Sequence, residues 1–481
     1  MRDFCATCLD AAMSAGATYA DVRVTDTLNQ DISVQDGVVE GIRSGASFGF
    51  GVRVIAAGAW GFASSSEVTP SSAAAVARHA VAIAKASASV GVHRLDLSRV
   101  DAYDDRWVGP CAIDPFDVPL DDKLGVLLAA DEAMRAVDGV ALARSSMSFL
   151  RGRKTFASSV GSFIEQEWVE SAAGIVAYAI GGGEVFPRSY PNSHGAGPRQ
   201  GGWETIEALD LVGHAPRVAR EAVELLTAPE CPSVTTTLIL DGSQLALQVH
   251  ESVGHPTELD RVLGDEAAFA GTSWVTTDDL DTLRYGSAMV DITADATVRG
   301  SLGSFGYDDE GVPAQRDYLV RGGVLTGFLS SRESAASIGR SSNGCMRADG
   351  WNRTPIIRMT TVSLEPGEAG TLEDLIADTG EGVYFETNNS WSIDDKRLNF
   401  QFACEIGWEI EGGERRRVVR HPNYTGVTPA FWASCDAICS RDAWSVWGLD
   451  NCGKGEPMQV AHVAHGAAPA RFLDVRIGVG R

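Results

Sequence analysis

The hydrophobic pattern over the first 90 residues changes period twice. Residues 3–16 put Phe4, Cys8 and Leu9 on one side, which predicts an amphipathic helix. From Tyr19 the period drops to two, with Ala20, Val22 and Val24 on one face of a strand. Apolar residues at Ile32, Val34, Val38 and Val39 flank Asp36-Gly37. An Asp-Gly pair tolerates the positive φ of a type I′ turn, so a hairpin is predicted there. Aromatic and β-branched residues broken by glycine continue through 47–62, and an alanine-rich helical stretch covers 70–89. Helix, hairpins, helix is the order of an α+β unit.

Residues 99–118 carry Pro110 and Pro115, with Pro119 just beyond, and read as a connecting loop. A helix is predicted over 120–137. Strands follow over 140–179, with turn signals at Gly152 and at Ser159-Val-Gly161. The glycines 181–183 and the run 191–202 read as one long irregular segment. It includes His194, read as a loop histidine ahead of an extra metal ligand. A third helix is predicted over 209–226.

Pro229 and Pro232 in a short polar stretch mark the best boundary, giving domains 1–227 and 233–481. Beyond it, Val234 to Leu240 is a dense apolar strand, Asp241-Gly-Ser closes it, and Ser243 is the expected cap of the next helix. The remaining pattern is mostly alternating. Hairpins turn at Gly322-Gly323 and Gly412-Gly413, the signature of a curved sheet. The fold expected is α+β: a mixed N-terminal α/β domain, then a β-rich, barrel-like C-terminal domain carrying a histidine-bearing helix.

At 481 residues the chain exceeds one typical core, which agrees with two domains. A net charge of −24 repels phosphate backbones and excludes direct nucleic-acid binding as the expected role. No apolar run reaches the ~18 residues of a membrane span. Asp3 and Asp10 interrupt any apolar leader core, and nine scattered cysteines suggest reduced thiols. The expected setting is cytoplasmic, without a membrane.

The candidate chemistry lies in LALQVHESVGHP, residues 245–256, at the end of a predicted helix. Two imidazoles with a carboxylate beside the first are parts of a metal-hydrolase site. His250 and His255 are five apart rather than four. On an ideal α-helix that turns the second ring roughly 140° from the first, too far to share an ion. A widened, π-like turn brings them back together, and Gly254 is the expected point of departure from helical geometry. A catalytic zinc site takes a third protein ligand. Cys5 and Cys8, like Cys435 and Cys439, read as buried thiols, and His462 and His465 as structural histidines. Cys452 precedes a glycine in what reads as a tight loop. Spacing alone does not choose among them.

A longer ordered set of segments carries a family resemblance. HESVGH (250–255) resembles the HExxxH motif of the TldD branch of the TldD/PmbA metallopeptidase family. GSLGSFGYDDEGVPAQ (300–315), Pro355-Ile-Ile-Arg-Met359, the strand from Phe400 and NCGKGEPMQV (451–460) follow in the family's order. The resemblance is closest over 234–481. It implies a cytosolic zinc peptidase that cleaves unfolded peptides with low sequence specificity inside a chamber. In it, His250, His255 and Cys452 hold Zn2+ and Glu251 is the base that activates water. It also implies a dimer with a PmbA/TldE-like subunit or with itself. Gly448-Leu-Asp-Asn451 departs from the usual glycine and valine before the cysteine, and 343–353 differs from the arginine-rich form. Two other readings stand beside it: a non-catalytic partner or regulatory subunit of the same fold, and a metal-dependent amidase acting on a non-peptide substrate. A closed structural site needs four protein ligands, and three are convincing.

Overall fold

The computed structural model describes residues 1–91, 95–193, 196–268 and 271–479. His194 lies outside the described residues. Strand (41%) outweighs helix (25%), as the α+β expectation requires.

Helix α1 (Arg2–Ser14) leads into an antiparallel meander of β1 (Tyr19–Gln35), β2 (Val38–Ala56) and β3 (Ala59–Ser65). Asp36 and Gly37 both take positive φ, as the predicted hairpin turn demands. Helix α2 (Pro70–Ser87) is capped by the Thr69 hydroxyl, which accepts from Ser72 N–H. Its alanines bury on the sheet with Cys5, Cys8, Val22 and Phe50. Small residues are required there, because a Cβ on Gly61 of β3 would lie 2.2 Å from the Ala80 carbonyl oxygen.

The 99–118 segment is not all loop. It contains β4 (Asp104–Val108), which pairs in parallel with a later strand. Its sequence, DDRWV, is largely exposed and lacks the alternation that marks a half-buried strand. After α3 (Leu120–Arg135) come β5 (Leu142–Ser158) and β6 (Phe163–Gly181), then β7 (Glu184–Tyr190) and β8 (Arg199–Gln200). The sheet order is β3-β2-β1-β5-β6-β4, with β7 and β8 also on β6. Gly152 is therefore no turn. It sits inside β5 because the Trp168 ring occupies the space of a Cβ, 2.2 Å away. Gly182 and Gly183, both at positive φ, close a β6–β7 hairpin instead of opening a long irregular run. Helices α4 (Trp203–Glu207) and α5 (Leu211–Leu225) join α3 around a core of Ile32, Val34, Met147 and Ile175.

The C-terminal half opens with β9 (Thr235–Leu240) and α6 (Gly242–Val249). Asp241, rather than Ser243, caps α6: its carboxylate accepts from the backbone of Ser243 and Gln244. Strands β10 (Ile292–Asp295), β11 (Arg316–Arg321) and β12 (Val324–Leu325) follow. Next come the short pair β13 (Met346–Arg347) and β14 (Ile356–Ile357), and then β15 (Val362–Leu364), which pairs with β10. The last eight strands are β16 (Glu381–Ile393), β17 (Asn399–Glu411), β18 (Glu414–Val419), β19 (Asn423–Val427), β20 (Cys435–Ile438), β21 (Ser445–Lys454), β22 (Gln459–Ala467) and β23 (Ala470–Ile477).

Five of these strands close a barrel in the order β16-β9-β23-β19-β17, and β17 pairs back onto β16. Every residue of α6 is buried, with β22 and β16 among the strands against it. The two-stranded β21–β22 ribbon then brings the far end of the sequence to the end of this helix. Buried ion pairs tie the N-terminal sheet to the acidic 308–310 stretch. Lys154 meets Asp309 at 2.5 Å, Arg23 meets the same carboxylate at 3.4 Å, and Arg53 meets Glu310 at 3.2 Å.

Candidate metal centre

Helix α6 does not stop at Val249. It widens into a π turn over His250–Gly254, where the N–H of His255 reaches back to the carbonyl of His250. An i→i+5 bond adds one residue to the turn, which returns position i+5 to the side of position i. The two imidazoles meet edge to face, with ring centroids 4.7 Å apart. Gly254 serves this turn differently from the expectation. Its φ of −55° is ordinary helical backbone. What it supplies is room, because a Cβ there would lie 2.3 Å from Met359 Sδ.

The third group arrives from β21. Cys452 is in a strand, not a tight loop. It faces Ala461 of β22, just past a register shift after Leu449. Its Sγ lies 3.4 Å from His250 Nε2 and 3.8 Å from His255 Nε2. The three donor atoms all fall within 4.8 Å of one another, and all three residues are buried.

The far side of each imidazole decides whether its inner nitrogen is free. His465 Nδ1 is 2.8 Å from the carbonyl oxygen of Val362, which only accepts, so that nitrogen carries the proton. His465 Nε2 is then an acceptor, and it faces His250 Nδ1 at 2.8 Å. His250 therefore donates from Nδ1 and keeps a lone pair on Nε2. His255 repeats the logic with a carboxylate: Nδ1 is 2.9 Å from Glu258 Oε2. Glu258 is wholly buried and lies 3.4 Å from Lys454, which also bridges Asp260. Such outer partners fix the tautomer and orientation of metal-binding histidines. His465, read from the sequence as merely structural, thus orients His250. Its spacing from the motif, over two hundred residues, left no local signal.

Electrostatics agree with a neutral imidazole pair. Burial pushes His250 down to about 4 and His255 well below the usual range. Burial raises the Cys452 thiol, but Arg358 and then His255 outweigh it, leaving the group below its ordinary value. The other buried thiols go the opposite way. Burial lifts Cys5 and Cys439 to about 11 and Cys8 and Cys435 to about 12. None of these joins the centre. His462 is also outside it and bonds Glu170 Oε2 at 2.5 Å.

Glu251 follows His250 in the π turn and is buried. Its Oε1 accepts from the Trp391 indole at 2.9 Å and its Oε2 from Arg397 Nη1 at 2.6 Å. Sequence reasoning found neither partner. A second convergent group, Glu184, Glu230 and His421, lies nearer the surface, where Arg420 pairs with both carboxylates.

Two imidazole nitrogens and a neighbouring carboxylate from a buried helical turn, met by a sulfur from β21 in an α+β frame, define a metallohydrolase class of protein. Within that class the chain belongs to the PmbA/TldA metallopeptidase family. Models of the family's C-terminal domain, domain 1 and central domain match residues 233–476, 20–84 and 113–228. Metalloprotease MJ0996 of Methanocaldococcus jannaschii is 30% identical over 91% of this chain and 92% of its own length. The zinc metalloprotease TldD homolog of Saccharolobus solfataricus is 25% identical over 50% of this chain and 51% of its own. TldE from Thermococcus kodakarensis shares the fold at 16% identity, with a TM-score of 0.73 and 98% and 99% of the two chains covered.

Proposed function

We propose that the chain is a zinc-dependent peptidase that hydrolyses unfolded peptides with low sequence specificity inside a chamber. His250, His255 and Cys452 are its metal ligands and Glu251 its base. The convergence of three buried donors with free lone pairs carries this reading. Zn–N and Zn–S bond lengths place tetrahedral ligands roughly 3.3–3.6 Å apart. The sulfur–nitrogen separation of 3.4 Å to His250 lies in that range, and the 3.8 Å to His255 lies just above it.

Zinc held there supplies Lewis acidity, acidifying a water and polarising a peptide carbonyl. Glu251 takes the water's proton and delivers it to the leaving amine nitrogen. The substrate is taken as an added extended strand, in keeping with the β-rich C-terminal half. Strand addition reads backbone and ignores most side chains, which favours unfolded substrates. The likeness to a TldE structure supports pairing with a PmbA/TldE-like subunit or with a second copy. No described helix is long and apolar enough to cross a membrane. The sheet of β1–β8 ends before Pro229, which supports a division into 1–227 and 233–481.

The test is to purify the chain alone, measure zinc, and assay an unstructured peptide with and without chelator. Glu251→Gln keeps the metal and loses activity by about 10²- to 10⁴-fold. His250→Ala loses both. Full activity in metal-free protein, or full zinc content in His250→Ala, overturns the reading.

A further inference from the structure

The turn between β16 and β17 sets two donors against Glu251, and one of them occupies an unfavourable backbone position. Arg397 has φ of +63°, the left-handed region where glycine is at ease. A residue with a Cβ pays roughly 1–2 kcal/mol there. Glycine is the common solution in short hairpin turns. An arginine at this place therefore needs a reason that its side chain provides.

Anchoring the turn is not that reason. Asp394 accepts from the backbone of Leu398 and Asn399. The Thr428 hydroxyl donates to the Arg397 carbonyl, and Trp274 N–H to that of Lys396. The turn is held through its backbone, without the guanidinium. Packing is not the reason either. Arg397 Nε is buried with no acceptor among the described residues, a cost that a hydrocarbon side chain would avoid. What the guanidinium does make is the 2.6 Å contact from Nη1 to Glu251 Oε2. Six residues earlier on the same hairpin, the Trp391 indole takes the other oxygen at 2.9 Å. One donor per oxygen fixes both the torsion and the reach of the carboxylate. Each oxygen keeps a further lone pair with which to receive a proton.

We propose that Arg397, with Trp391, is a positioning residue that holds the Glu251 carboxylate in its working orientation beside His250. This rests on Glu251 being the base of a peptidase. A base displaced by about 1 Å loses on the order of 10²-fold in rate, so a two-point grip has kinetic value.

The variants are Arg397→Gly, Arg397→Lys and Trp391→Phe. Arg397→Gly relaxes the left-handed backbone while deleting the guanidinium, so a loss of function in it cannot come from a strained turn. The expected result is a fall in kcat of about 10- to 100-fold, KM within about threefold, and unchanged zinc content. Arg397→Lys, which restores a cation, recovers part of the loss. A second readout needs neither metal nor turnover. In metal-free protein labelled with ¹⁵N at tryptophan, the Trp391 indole N–H resonance, assigned by its loss in Trp391→Phe, shifts in both Glu251→Gln and Arg397→Gly.

Wild-type kcat in Arg397→Gly overturns the proposal. So does a KM effect with kcat intact, a loss of zinc, or an indole resonance that ignores both substitutions. If Glu251→Gln is itself fully active, the peptidase reading fails first. If Glu251→Gln is inactive and Arg397→Gly is not, only the positioning role fails.

Discussion

His465 Nε2 lies 2.8 Å from His250 Nδ1, and His465 in turn donates to the Val362 carbonyl. This two-step relay presents the His250 Nε2 lone pair to Cys452. Replacing His465 with Ala leaves the buried His250 N–H with no acceptor and its ring free to turn. Zinc affinity is expected to fall about 10- to 100-fold, the usual effect of removing an outer-shell partner. His465→Gln retains an acceptor oxygen and is expected to fall less. Competition against a chromophoric chelator measures both.

Removing the sulfur itself should do more than removing an orienting residue. Cys452→Ser replaces a soft, readily ionised donor with a hydroxyl that holds its proton. The expected loss of zinc affinity exceeds the roughly 100-fold ceiling of an outer-shell change. Cys435→Ser, at a buried thiol outside the centre, leaves zinc content unchanged. Equal zinc content in Cys452→Ser and the wild type would remove Cys452 from the ligand set.

The π turn depends on the empty space at Gly254. A Cβ there would meet Met359 Sδ at 2.3 Å, and Met359 is itself fully buried. Gly254→Ala is therefore expected to cost about 1–3 kcal/mol, the range for overpacking a core. The clash is with the flexible end of a methionine. Gly254→Ala combined with Met359→Ala should thus be more stable than the two single losses added together. Urea midpoints of the four proteins close the cycle. Strict additivity would mean that the two residues do not share the space.

These tests also show which parts of the site the sequence disclosed. The five-residue spacing of His250 and His255 forced a choice between two rings that cannot meet and a widened turn. That choice is legible from helix geometry alone. The Asp36-Gly37 hairpin was legible because turn chemistry is local. Residues that act across the fold left no such mark. His465 and Trp391 reach the site through strand register and a hairpin, more than a hundred residues from α6 in sequence. Gly152 imitates a turn glycine, and only the Trp168 ring shows that it is a packing glycine. Strand β4 was hidden because an exposed edge strand has no buried face to alternate with. Asp241 displaced Ser243 as the cap of α6 because a carboxylate one residue before the helix reaches two N–H groups together.

The acidic 308–310 stretch yields a pH prediction of definite sign. Burial alone would raise Asp309, but Lys154 and Arg23 outweigh it and hold the carboxyl down at about 2. In the unfolded chain an Asp titrates near 3.9. A folded pKa below the unfolded one means that the unfolded state binds the proton more readily. Stability from this group is then fully present above about pH 4 and lost as pH falls from there towards 2. The shift is worth on the order of 2–3 kcal/mol at neutral pH. Asp309→Asn has the shape of the protonated acid and leaves Lys154 and Arg23 facing a neutral group. The variant is expected to be less stable than the wild type by about that amount at pH 7. The gap should narrow as pH drops below 4, because the wild type comes to resemble it. Urea midpoints at pH 7, 5 and 3 check this, and a gap that does not change with pH would show that the carboxylate's charge is not what joins the N-terminal sheet to this stretch.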